Sequence, residues 1–115
     1  MDYRDFQVRS SLTQQDYHCQ FVYLQTAISL RHSDTVDVKF LVNGTGVVVA
    51  LPHTAWVEYQ HRTGQPLTDG HASEVAASLL QEALERGDDI ELLDLSPTTA
   101  QVLDKALGRG VGAGA

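Results

Sequence analysis

Apolar and polar residues alternate along the first half of the chain and repeat at helical spacing along the second. Between residues 17 and 51 apolar positions recur every second residue or run together, the periodicity of strands. Between residues 69 and 87 they recur at three- and four-residue steps, the periodicity of an amphipathic helix. A sheet from the first half, covered by helices from the second, predicts an α+β domain.

The individual elements follow from the same pattern. Asp2 to Ser10 predicts a first strand, in which Phe6 and Val8 alternate with polar neighbours, and Ser10 to Asp16 predicts a connector. Tyr17 to Arg31 predicts a long second strand, with Val22, Leu24, Ile28 and Leu30 on one face and Cys19, Phe21 and Tyr23 on the other. That length is unusual for one strand, so a bulge or bend is expected near Gln25. His32-Ser33-Asp34 is expected to turn the chain into its clearest half-buried strand, where Val36, Val38, Phe40 and Val42 occupy alternate positions. Asn43-Gly44 predicts a tight hairpin, because both residues tolerate positive φ. Val47 to Leu51 is apolar without interruption and predicts a central strand covered on both faces. Such a run at a sheet edge would invite aggregation.

Pro52 ends that strand, and His53 to Arg62 fits two periods. As a strand it places Ala55, Val57 and Tyr59 on one side. As a helix it places Ala55, Trp56 and Tyr59 on one face, pairs Glu58 with Arg62, and is stopped by Gly64 and Pro66. The helix is the preferred reading. Thr68 or Asp69 is expected to cap the next helix, whose stripe of Ala72, Val75, Ala76, Leu79, Leu80, Ala83 and Leu84 closes at Gly87. Ile90 to Leu95 predicts a short strand that joins the sheet edge. Ser96-Pro97 then predicts the cap and first position of a last helix, with Ala100, Leu103, Ala106 and Leu107 on its buried face and Gly108 at its end. The expected fold is an antiparallel meander of three to four strands with two to three helices from the C-terminal half on one face, over residues 1–108, followed by a loose Gly-rich tail at 109–115.

Composition narrows the picture. The chain has 115 residues and 43% apolar content, which suits one core rather than disorder. Its longest apolar run, Val47 to Leu51, is far short of the roughly 20 residues that span a bilayer. Met1 to Asp5 has neither the basic start nor the apolar stretch of a signal peptide, and Cys19 is the one cysteine, so no internal disulfide can form. A cytoplasmic location is the expectation. The net charge of −7 is unevenly placed: residues 1–65 carry five Lys/Arg against six Asp/Glu, and residues 66–115 carry three against nine. The acidic half repels phosphate backbones and anionic membranes, so no nucleic-acid or membrane partner is expected.

Candidate chemistry is sparse. The five histidines, His18, His32, His53, His61 and His71, lack zinc-ligand spacing, and there is no second cysteine, so no metal and no cofactor are expected. On a helix His53 and His61 stand about 12 Å apart along the axis, too far for two bonds of about 2 Å to one ion. His71-x-x-Glu74 offers a pair of ligands, which is short of a site. His32 beside Asp34 and Asp37 could serve as a general base, although a turn uses the same residues for local hydrogen bonds. Cys19 neighbours His18, but adjacent strand residues point to opposite faces, which argues against a catalytic pair. Gly44-x-Gly46 lacks the rest of a phosphate loop, and Asp88, Asp89, Glu91 and Asp94 lack the spacing of an EF-hand. Trp56 and Tyr59 are the candidate wall of a ligand cleft, with His32, His53 or His61 to supply acid–base chemistry. Phe21 and Tyr23, with Cys19, are the candidate face for a second subunit.

The first functional expectation is a non-enzymatic interaction or oligomerisation module, as a homodimer or with a protein partner. The alternatives are a small-molecule binder or small enzyme with an aromatic and histidine cleft, and an acidic regulatory partner of a basic protein. Whether the chain is an enzyme stays open at this point.

Overall fold

The computed structural model describes residues 2–27, 35–87 and 94–108. Four strands form an antiparallel meander: β1 (Asp5–Arg9), β2 (Asp16–Ala27), β3 (Thr35–Val42) and β4 (Thr45–Pro52). Three helices follow, α1 (Thr54–Thr63), α2 (Asp69–Glu85) and α3 (Thr99–Ala106), with the two-residue β5 (Asp94–Leu95) between α2 and α3. The α+β fold class expected from periodicity is the one observed. The expected turn at residues 32–34, the first part of the expected strand at 90–95 and the tail at 109–115 lie outside the described residues.

The sheet order is β1-β2-β3-β4-β5, which puts β3 in the middle. β5 lies at the edge and pairs parallel to β4, through Val48 with Asp94 and Val49 with Leu95. Asn43 and Gly44 form the β3–β4 turn at φ 50° and 83°, as the hairpin signal predicts. Asn43 also ties the turn to the neighbouring strand. Its Oδ1 accepts from the His18 N–H at 2.8 Å, and its Nδ2 donates to the Asp16 carbonyl at 3.3 Å.

The second strand is longer than the pleat tolerates without correction. A bulge falls at Val22, between the pairs Phe21–Phe40 and Tyr23–Lys39, earlier than the expected bend near Gln25. The extra residue inverts the alternation of everything after it. Cys19 and Phe21 therefore share the inner face with Leu24, whereas Tyr23 joins Lys39 on the outer face. The expected set of Cys19, Phe21 and Tyr23 on one face is corrected accordingly, and so is the set that joined Val22 to Leu24.

The inner face carries Phe6, Val8, Cys19, Val36, Val38, Phe40, Val42, Val47, Val49 and Leu51, all buried. Rings link the strands edge to face: Tyr3 with Phe21 at 5.3 Å, Phe21 with Phe40 at 5.9 Å, and Phe6 with Phe40 at 6.0 Å. Against them α2 presents Ala72, Val75, Ala76, Leu80 and Leu84, and α3 presents Val102 and Ala106. The alanines bring the α2 backbone close to the sheet. The α3 helix packs against both α1 and α2.

Caps fix the helix boundaries. Thr68 caps α2 by accepting from the His71 N–H at 3.1 Å. α1 ends at Gly64, φ 71°, which resolves residues 54–63 as helix. The last helix begins later than Ser96-Pro97 predicts. Thr98 is its cap, accepting from the Gln101 N–H at 3.2 Å while its own N–H donates to Gln101 Oε1 at 2.8 Å. This reciprocal pair satisfies two orphan donors, which Ser96 cannot match because Thr99 stands three residues on.

Candidate functional site

The central observation is the outer face of the sheet. The buried faces of the helices and the inner strand residues form one cluster, and among the described residues no helix or strand lies over the other side. The molecule measures 40 × 40 × 20 Å, and its short dimension matches two layers, one sheet and one of helices. The apolar run of β4 is thus covered on one face only. Val47, Val49 and Leu51 are buried beneath the helices, and Val48 and Ala50 are half-buried among their neighbours in the sheet. The expectation of cover on both faces is corrected to this extent.

The outer face divides by polarity. Its β1–β2 side is polar. Asp5, Gln7 and Arg9 lie beside Gln20, His18 and Asp16, and His18 Nε2 meets Asp5 Oδ1 at 2.6 Å. Its β3–β4 side carries Leu41, Val48 and Ala50, half-buried, with Val22 at the bulge 45% exposed. Two charges stand in this apolar area, Asp37 and Lys39, at successive outward positions of β3. Asp37 accepts from the Thr35 hydroxyl at 2.9 Å. The Lys39 ammonium lies 5.9 Å from the centre of the Tyr23 ring. Its stem crosses Gly46, where a Cβ would approach Lys39 Cε to 3.0 Å. Gly46 gives the lysine room to lie down, so the face stays flat.

The other candidates are scattered. Trp56 and Tyr59 are half-buried and pack against the core. The exposed His53 stacks on Trp56 at 6.5 Å and an interplanar angle of 5°, and His71 meets Tyr59 edge to face at 5.6 Å. His61 is exposed in the last turn of α1, and His32 lies outside the described residues. Among the described residues no group of three or more His, Cys, Asp or Glu side chains converges. Cys19 is fully buried on the inner face, and burial pushes its thiol pKa up to about 12. His18 points to the opposite face, as strand alternation requires.

Periodicity gave no hint of a cleft of about 380 Å³ between the C-terminal half of α2 and the β5–α3 segment. Leu79, Ala83, Leu95 and Pro97 form its apolar lining, and Glu82 pairs with Lys105 across it. Its residues come from one side of α2, from the β5–α3 connection and from the polar side of α3, segments distant in sequence that only packing brings together. Ser96 and Pro97 lie in the helix-start signal read from the sequence, and the Gln101 side chain completes the α3 cap, but neither motif points to a cleft.

No family model matches this chain, and neither does any curated protein or solved structure. The functional reading rests on geometry. Among the described residues no helix is long and apolar enough to cross a membrane.

Proposed function

We propose that this chain is a non-enzymatic interaction module that self-associates through the outer face of its sheet. One observation carries the reading: half-buried Leu41, Val48 and Ala50, with Val22 exposed beside them, form an apolar area under no described element. A polar rim on β1–β2 borders it, which is the anatomy of a protein interface. Size sets the strength. Four strands about 4.8 Å apart, eight residues long at about 3.3 Å each, give roughly 500 Å² per copy. The total of about 1,000 Å² is at the low end for specific complexes, so the expected dimer is weak and micromolar.

Light scattering across a concentration series tests this. The mass should climb from 12.6 kDa towards twice that value between nanomolar and high micromolar protein. Val48→Glu should hold the mass at the monomer value while leaving the circular dichroism spectrum intact, since Val48 points away from the core. A wild-type chain that stays monomeric at every concentration would defeat the proposal.

A small-molecule binder is the second reading, and the α2–α3 cleft supports it better than Trp56 or Tyr59, neither of which lines that cleft. Ligand-induced NMR shifts confined to α2 and α3 would favour it.

A further inference from the structure

We infer that the occupant of the outer face is a second copy stacked in one orientation: β3 runs antiparallel over β3 of the partner subunit, with the two-fold axis above Val38. Asp37 of each copy then faces Lys39 of the partner subunit. The inference rests on the reading of the outer face as the contact surface and adds the geometry.

Charge and symmetry select this arrangement. The outward positions of β3 read Thr35, Asp37, Lys39 and Leu41. Asp37 and Lys39 are two residues apart, about 6.6 Å along the strand. Where β3 stacks in line on β3 of the partner subunit, the two-fold axis lies in the plane between the sheets and runs either along that strand or across it. An axis along β3 places Asp37 on Asp37 and Lys39 on Lys39, so both contacts repel. An axis across β3 and above Val38 exchanges the two positions, so both contacts attract. Like charges forced together cost far more than a matched pair gains, so the mismatch removes the first arrangement.

The surroundings favour a copy of this chain as the partner. Lys39 is the sole Lys or Arg on the described outer face of β2, β3 and β4, and the chain carries a net charge of −7. Asp37 at the mirrored position matches this cation locally, against the long-range repulsion of two acidic chains. In the free chain Lys39 rests across Gly46 and near Tyr23, and pairing with Asp37 of the partner subunit requires its stem to rise from the sheet. Sheets stack face to face at about 10 Å, a gap that Asp and Lys side chains span together. The area estimated above also suits a self-association that depends on concentration.

Sedimentation equilibrium of charge variants tests the orientation. Lys39→Asp should weaken the dimer at least tenfold, because each acidic residue 37 would then meet an acidic residue 39. The double variant Asp37→Lys/Lys39→Asp restores the pairing and should return the affinity to within about threefold of wild type. Arg62→Asp on α1 changes the net charge by the same amount away from the face, and should leave dimerisation in place. Asp37→Asn should weaken the dimer under this geometry and strengthen it under the like-on-like arrangement. Unchanged affinity in Lys39→Asp, or a double variant as weak as the single one, would overturn the orientation while the dimer itself stands. A wild-type chain that never dimerises would instead remove the underlying reading.

Discussion

Cys19 and Ser10 show how much one buried atom can decide. The Cys19 thiol sits among Phe6, Val42 and the helices with its pKa pushed up to about 12, so it stays neutral in the folded protein where an unfolded chain ionises near 9. The folded pKa is the higher one, so the stability this thiol confers is complete below about pH 9 and is lost as pH rises towards about 12. Denaturant midpoints should fall across that window in wild type and fall less in Cys19→Ala. At pH 8 a thiol reagent should react with the unfolded protein and leave the native one untouched. Ser10 is buried too, and its Oγ accepts from the N–H groups of Leu12 and Thr13, both at 3.2 Å. Ser10→Ala should cost about 1–3 kcal/mol by urea unfolding, because it strands backbone donors. The opposed faces of His18 and Cys19 follow from strand alternation and were legible in the sequence. The burial of Ser10 was not, because a serine in a polar connector looks the same whether its hydroxyl meets water or backbone.

At the scale of elements, most of the fold was readable because each local signal agrees with its neighbours. The Val36-to-Val42 alternation, the Asn43-Gly44 turn, the Thr68 cap and the α2 stripe all specify what the structure shows. The errors arose where two signals competed. Ser96-Pro97 is a good helix start, but Thr98 with Gln101 makes a reciprocal cap and prevails. Thr98→Ala should therefore destabilise the protein by about 1 kcal/mol, and Ser96→Ala should change the urea midpoint hardly at all. Equal effects from the two variants would contradict this boundary. The bulge at Val22 was expected in kind but misplaced, because the alternation around it is apolar on both faces and the pattern holds no marker of the slip. That slip matters for the site: it moved Tyr23 onto the outer face and kept Phe21 inside.

For the whole molecule, charge and shape pull in opposite directions. Two chains of net charge −7 repel at long range, while the proposed contact of the two outer faces would attract at short range. Moderate salt screens the first term over about 8 Å and leaves the apolar contact intact, so the dimer should tighten between low and physiological ionic strength. Binding to a basic partner would weaken over the same range, and a salt titration by light scattering separates the two. The outer face was only partly legible, since the sequence shows strands with two apolar faces and cannot say which side the helices choose. The parallel pairing of β5 with β4 has a consequence of its own, for the order in which the protein assembles. Meander pairs join neighbouring strands, whereas the Val48–Asp94 pair closes a loop of some forty-five residues held by only two positions. Closing that loop earns little until α3 docks, so the β5–α3 segment should settle last and open first. Native-state hydrogen exchange should find the slowest amides in β3 and a faster, cooperative unit spanning residues 94–108, which makes the C-terminal segment a latch on a scaffold already formed.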